Sequence, residues 1–280
     1  MSRPFKSELV ITEQINESGL KAYHIGFDQK QFRLQPLVDV IRSVIPEFSL
    51  GYHCGMHIPL TEIVSRLKEA AETVYMTDKY KTRGEFGELI LHLLLRDFQE
   101  TIPLISKIYF KDARNVPVHG FDGVQITING DEKKLWLGES KLYTCGEEGI
   151  RDLAKDIVAH VNADYIRSEF SLISKKLPTN IPEIEYWRTL MDEHQKLDVI
   201  FSSIVIPMVC TYSSKLFLNH TDNTFDYFND FTSECNTLNQ LFLRLKGNVS
   251  TEIILMLLPV PDKNILNTEL DKRLKFMQQI

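Results

Sequence analysis

Two acidic side chains and a lysine lie close together near the middle of the chain, in segments with the pattern of paired β-strands. Asp122 stands at the start of one run of strand-forming residues, and Glu139 and Lys141 stand at the end of the next. The loop between the runs begins with Asn129-Gly130, and an Asn-Gly pair in this setting is the strongest short-range signal of a β-hairpin. The pattern therefore predicts one hairpin that carries all three charged side chains.

The length of the loop decides whether the two carboxylates share a face of this hairpin. Side chains alternate between faces along a strand, and directly opposed residues share a face. A two-residue turn at Asn129-Gly130 would place Asp122 opposite Leu137, with Glu139 as its diagonal neighbour. A four-residue loop over 129–132 would place Asp122 directly opposite Glu139. Any even loop length puts both carboxylates on one face, whereas an odd length separates them.

The face that these charged residues share is otherwise apolar and is expected to pack inward. Its other members are Val124, Ile126, Ile128, Leu135 and Leu137. Burying a charge without a partner is costly, and a local rule broken in such a concentrated way marks a functional site. Two interpretations stay open, namely a buried salt bridge with Lys141 that serves structure alone and a metal site.

The residue types suit one kind of chemistry. Two neighbouring carboxylates repel each other unless a cation joins them, and hard oxygen ligands with open water positions suit Mg²⁺ or Mn²⁺. Such an ion polarises a phosphodiester and activates a bound water. Lys141 lies two residues beyond Glu139, hence on the same face, where it can position the water or stabilise charge at the phosphorus.

A helix predicted over 84–98 offers a further carboxylate. Glu88 lies at the border of its packing face, next to Leu91 and Leu95, and we expect it to reach toward the hairpin. The alternative is an ordinary boundary glutamate. Glu85 falls on the polar arc of the same helix and is expected to be solvated or paired with a nearby basic residue.

The remaining elements alternate between strands and helices, which indicates an α/β or α+β layered fold. Helices are predicted over 36–45, 61–75, 147–161, 163–175, 228–245 and 264–279. Strands are predicted as a pair within 8–28 and over 104–110, 199–212 (interrupted by Pro207) and 251–258, and a loop is predicted over 77–83.

Composition is that of a soluble globular protein. The 280 residues are 43% hydrophobic and carry a formal net charge of -6, which argues against a stand-alone DNA-coating protein. The four cysteines form no CxxC pair and fit a reducing cytoplasm. The N-terminal residues lack the apolar core of a signal peptide, and the apolar runs are too short to cross a membrane. Short basic groups, expected on solvated surface, occur at Lys79, Lys81 and Arg83, at Lys133 and Lys134, at Lys175 and Lys176, and at Lys272, Arg273 and Lys275.

The order of these acidic residues and the lysine resembles the PD-(D/E)XK nuclease superfamily. The segments that carry the resemblance are Glu88 on its helix, Val118-His119-Gly120-Phe121-Asp122 and Gly138-Glu139-Ser140-Lys141. The resemblance implies a restriction-endonuclease-like core, in which a mixed central sheet is flanked by helices. It implies that Asp122, Glu139 and Glu88 bind the metal and that Lys141 is the catalytic lysine. Phe121, where the hallmark has a proline, departs from the pattern at a variable position.

More narrowly, the chain is similar to the nuclease effectors (HamA) of Hachiman antiphage defence systems. The segments that fit are Arg83-Gly84-Glu85-Phe86-Gly87-Glu88, His119-Gly120-Phe121-Asp122 and Gly138-Glu139-Ser140-Lys141-Leu142-Tyr143. This resemblance implies cleavage of DNA by a nuclease that a superfamily 2 (HamB-like) helicase restrains until it is released. It also suggests a division into an N-terminal α+β elaboration (1–76) and a nuclease core (77–280). The alternatives are a non-catalytic interaction subunit and a conventional restriction or repair nuclease.

Overall fold

The computed structural model describes residues 3–75, 84–106 and 120–280 of the chain. Its strands are β1 (Thr12–Glu17), β2 (Leu20–His24), β3 (Phe27–Asp28), β4 (Gln31–Phe32), β5 (Ile102–Ser106), β6 (Gly123–Asn129), β7 (Glu132–Tyr143), β8 (Ile204–Ser213) and β9 (Glu252–Val260). Its α-helices are α1 (Leu34–Ser43), α2 (Ile45–Leu50), α3 (Tyr52–Met56), α4 (Ile63–Val74), α5 (Glu85–Phe98), α6 (Gly146–His160), α7 (Ala163–Ser174), α8 (Ile184–Leu190), α9 (Leu197–Ser203), α10 (Leu216–Asn219), α11 (Phe225–Leu245) and α12 (Lys263–Gln279).

A mixed sheet of seven strands runs through the centre of the protein in the order β1-β2-β9-β8-β7-β6-β5. The strands β2, β9, β8 and β7 are parallel neighbours, whereas β1, β6 and β5 each pair with their neighbours in antiparallel fashion. The strands β3 and β4 form a separate small ribbon. The predicted α/β fold, with a mixed central sheet flanked by helices, is confirmed.

Two helical layers cover the two faces of this sheet. Apolar residues of α6, α7 and α11 pack on one face, against Val124, Leu137 and Met208 among others. Apolar residues of α1, α2, α4, α5 and α12 pack on the other, against Trp136, Val209 and Met256 among others. The first nine residues of β8 are all buried, as expected for a parallel strand covered on both sides.

The N-terminal segment is part of this architecture. Its strands β1 and β2 extend the main sheet beyond β9, and its helices share a hydrophobic cluster with α5 and α12. The division of the chain near residue 76 stays a prediction, since residues 76–83 lie outside the described part. Among the described residues, no helix combines the length and the apolar character needed to cross a membrane.

One prediction about the strands was wrong. The run 199–212 was expected to be a strand broken at Pro207, but its first residues belong to α9, and β8 continues through the proline. Pairing with β7 stops after Val205 and resumes at Met208, and the interval contains Pro207, which has no N–H to donate. The sequence pattern could not reveal this, because short β-branched runs form helices and strands alike.

The other predicted elements match the structure to within a few residues. The predicted loop over 77–83, the end of the predicted strand over 104–110, and two residues of the nuclease-like motif, Val118 and His119, lie outside the described residues.

Candidate active site

The central hairpin carries the two predicted carboxylates at its open end. Its paired residues run from Gly123 opposite Gly138 to Asn129 opposite Glu132. The turn is therefore the two residues 130–131, where Gly130 adopts a left-handed φ of 62°. Asp122 immediately precedes the first paired residue of β6, and Glu139 immediately follows Gly138, the partner of that residue in β7. The backbone N–H of Asp122 donates to the carbonyl of Gly138 at 2.8 Å, which fixes this end of the hairpin.

Asp122 is buried and held by a residue of the facing strand. Its Oδ2 atom accepts one hydrogen bond from the backbone N–H of Ser140 at 2.9 Å and another from the Ser140 hydroxyl at 2.7 Å. Hydrogen bonds to a charged acceptor are stronger than those between neutral groups. Ser140 therefore fixes the carboxylate in one orientation. The sequence pattern did not single out this residue, because a serine between Glu139 and Lys141 has no pattern of its own.

Glu139 and Lys141 lie on the opposite side of β7 from the Ser140 side chain and form an ion pair. The Lys141 Nζ atom is 3.1 Å from Oε1 of Glu139, which is only 5% exposed. A second acid, Asp156 of α6, lies 2.5 Å from the same ammonium. Burial lowers the pKa of Lys141, but the neighbouring charges of Glu139 and Asp156 outweigh it and raise the pKa above its ordinary value. Lys141 is therefore fully charged at neutral pH.

Glu88 is buried at the N-terminal end of α5, with 8% of its surface exposed. The helix approaches β7 so closely that a Cβ atom on Gly87 would lie 3.1 Å from the Ser140 hydroxyl, which itself holds Asp122. Within residues 3–75, 84–106 and 120–280, however, no three His, Cys, Asp or Glu side chains are close enough together to hold a metal ion. The role of Glu88 as a third ligand stays a prediction.

Glu85 is not solvated, since it is as buried as Glu88, with 8% of its surface exposed. The alternative expectation, pairing with Lys81 or Arg83, falls on residues outside the described part. The polar arc of α5 is covered by other elements rather than by water. His92 and Arg96 of this arc lie 3.5 and 3.3 Å from Glu47 of α2, whose side chain is fully buried. A helical wheel shows which side of a helix is polar. It does not show whether that side faces water or a polar group of another element.

Three residues on one face of α6 lie near the end of the hairpin, and the sequence pattern did not predict their contacts. Asp152 accepts a hydrogen bond from the Tyr143 hydroxyl, and Asp156 pairs with Lys141. One turn further, His160 stacks on Tyr165 with ring centroids 4.5 Å apart. The signal was present in the sequence, because residues four apart share one face of a helix.

The side chains present fit a hard divalent cation. Asp122 and Glu139 would supply the carboxylate oxygens, and both residues are only 5% exposed. Mg²⁺ in proteins is commonly held through one or two carboxylates while it keeps several waters. Two protein ligands are therefore sufficient, and Glu88 is not required.

A mixed seven-stranded sheet between two helical layers, with an ordered Asp, Glu and Lys set on its hairpin, defines an α/β protein with a nuclease-like fold. Comparison of the sequence with models of protein families identifies the family within this class. A family model described as HamA matches residues 3–274, and the chain belongs to the HamA family. This membership makes it a component of a Hachiman antiphage defence system. No curated protein matches the chain.

Proposed function

We propose that this protein is a metal-dependent DNA endonuclease of the PD-(D/E)XK type and the effector of its defence system. The observation that carries the proposal is the contact of Lys141 with Glu139, at the end of the hairpin where Asp122 is bonded to Ser140, the residue between them. A salt bridge that served structure alone would need one carboxylate. Here a second buried carboxylate, Asp122, is oriented by two hydrogen bonds from the residue that follows Glu139.

Each residue of the set has a distinct task in phosphodiester hydrolysis. Asp122 and Glu139 would hold Mg²⁺ or Mn²⁺, and Glu88 would assist from α5. The bound ion supplies Lewis acidity and a water of lowered pKa. Lys141 orients the attacking water and stabilises negative charge at the phosphorus. Ser140 keeps the Asp122 carboxylate in place.

The charge distribution supports dependence on a partner for DNA engagement. The net charge is -6, and several short basic groups are already paired with acids. Lys133 pairs with Glu183, and Lys272 with Glu269, at 3.3 and 2.5 Å. Tight DNA binding depends on basic side chains that neutralise phosphates. We infer that a superfamily 2 (HamB-like) helicase, the partner that the family resemblance implies, presents the DNA.

The test is cleavage of supercoiled plasmid with Mg²⁺ or Mn²⁺, with and without the helicase. Glu139→Gln removes a ligand charge and Lys141→Ala removes the ammonium, so each is expected to lower the rate by about a hundredfold or more. Glu147→Gln is the matched control, because Glu147 is an exposed helix residue that contacts only Arg151 among the described ion pairs.

The outcomes separate the three candidate functions. Cleavage that is lost in both variants and needs the helicase supports the proposal. Site-specific cleavage by the chain alone would favour a conventional restriction or repair nuclease. Absence of cleavage in every condition, or cleavage that survives both substitutions, would favour a non-catalytic interaction subunit.

A further inference from the structure

Of the described ion pairs of Lys141, the shorter is with Asp156, a residue that has no place in the Asp, Glu and Lys set. It projects from α6, the helix that follows the catalytic strand, and lies 2.5 Å from Lys141 Nζ, closer than Glu139 at 3.1 Å. The exposed fraction of its side chain is 29%, so an ion pair here is shielded from solvent only in part.

A divalent cation bound to Glu139 would be repelled by the nearby Lys141 ammonium, and the Asp156 carboxylate can offset this repulsion. The Oε1 atom of Glu139 accepts a hydrogen bond from Lys141, and a divalent cation on the same carboxylate would face the ammonium at short range. Two cations so close repel each other unless a further negative charge lies between or beside them. Among the described ion pairs of Lys141, the one with Asp156 supplies that further charge.

We propose that Asp156 is a positioning residue that holds the Lys141 ammonium while Glu139 binds the divalent cation. The inference rests on the proposed nuclease function. Asp156 binds neither the metal nor the DNA in this scheme. It acts on the metal through Lys141, because the lysine leaves the Glu139 carboxylate only when another anion accepts its hydrogen bonds.

The change that tests this role is Asp156→Asn, which keeps the size of the side chain and removes its charge. Lys141 then retains Glu139 as its charged acceptor, and the cation must compete with it. Partners of this kind typically change metal affinity by about tenfold or more, and we expect Asp156→Asn to weaken Mn²⁺ binding by about that factor. Asp156→Glu, which restores the charge, is expected to recover part of the affinity.

The measurement is calorimetric titration of the full chain with Mn²⁺ alone, without DNA, in a double-mutant cycle with Lys141→Met. If Asp156 acts through the lysine, Asp156→Asn weakens binding in the native background and has no effect once the ammonium is gone. Glu147→Gln, a carboxylate-to-amide change on the same helix, is the control and is expected to bind Mn²⁺ as the native chain does. Thermal unfolding of each variant checks that the fold is intact.

Failure of this inference is distinguishable from failure of the proposed function. If the native chain binds Mn²⁺ and Asp156→Asn binds it equally well, the positioning role is wrong while the nuclease proposal stands. An equal loss in both backgrounds would also overturn it, because Asp156 would then act independently of Lys141. A native chain that neither binds Mn²⁺ nor cleaves DNA overturns both.

Discussion

Ser140 shows how much of the candidate site depends on a residue with no charge. Its backbone N–H and hydroxyl both donate to Oδ2 of Asp122, so one residue holds the carboxylate twice. Its side chain points toward α5, whereas the neighbouring Glu139 and Lys141 point toward α6. The Ser140 hydroxyl thus holds Asp122 from the side of β7 opposite to the one on which Glu139 and Lys141 lie.

Replacing Ser140 by alanine removes one of these two donors. A hydrogen bond to a charged group contributes about 1.5–3 kcal/mol, so we expect Ser140→Ala to lower kcat/KM for plasmid cleavage by about tenfold or more. The backbone donor remains, and the residual activity should exceed that of Glu139→Gln. Ser202→Ala, which removes an exposed hydroxyl bonded within its own helix, serves as the control. Equal rates for Ser140→Ala and the native chain would show that the hydroxyl has no role in holding Asp122.

At the scale of elements, the site depends on how closely α5 packs against the hairpin. The Leu91 side chain of α5 is buried directly over two glycines, Gly138 of β7 and Gly123 of β6. A Cβ atom on Gly138 would lie 2.8 Å from the Leu91 Cδ2 atom, which is closer than carbon atoms approach in folded proteins, whereas one on Gly123 would lie at an ordinary 3.6 Å. The position of the Leu91 side chain against β7 therefore depends on the absence of a side chain at Gly138.

These two glycines provide a matched pair of substitutions. Gly138→Ala forces Leu91 or α5 to move, and such overpacking costs about 1–3 kcal/mol of unfolding free energy. Gly123→Ala adds the same methyl group under the same leucine without a clash, and we expect it to be close to neutral. Urea denaturation of both variants measures the difference. Equal stability of the two would mean that the approach of α5 to β7 is looser than described.

At the scale of the whole molecule, His24 joins the N-terminal strands to the helical layer beside α6. It ends β2 and contacts aromatic rings of α11, with the Phe228 ring centroid 5.1 Å away. Burial lowers the pKa of His24 from 6.5 to about 4. The N-terminal segment and the C-terminal half are thus coupled through a group that must stay uncharged.

This coupling predicts a pH dependence of stability. Between pH 6.5 and about 4 the unfolded chain binds a proton at His24 that the folded chain does not, so stability falls as the pH is lowered through this window. The loss from this residue is at most about 3 kcal/mol. In His24→Leu the decline should be shallower than in the native chain, as measured by urea denaturation at several pH values. His194→Leu, at a fully solvated histidine, is the control, and parallel curves for His24→Leu and the native chain would contradict the prediction.

The sequence by itself determined the hairpin, the order of the acids and the lysine, and most helices and strands. These features depend on neighbours in the chain: side-chain alternation, a turn dipeptide and helical spacing are local properties. The loop length was left open, and the register settled it as an even one, the two-residue turn 130–131.

Only the tertiary structure decided which groups surround these residues. Asp156 meets Lys141 across 15 residues of sequence, and the polar arc of α5 meets Glu47, because the packing of helices on the sheet determines such contacts. The same packing buries Glu85, which its wheel position placed in solvent, and lets β8 pass through Pro207 in the middle of the sheet. The local sequence pattern shows which side chains are polar. It does not show which group compensates a buried charge, because that group lies far away in the sequence and is brought near by tertiary packing.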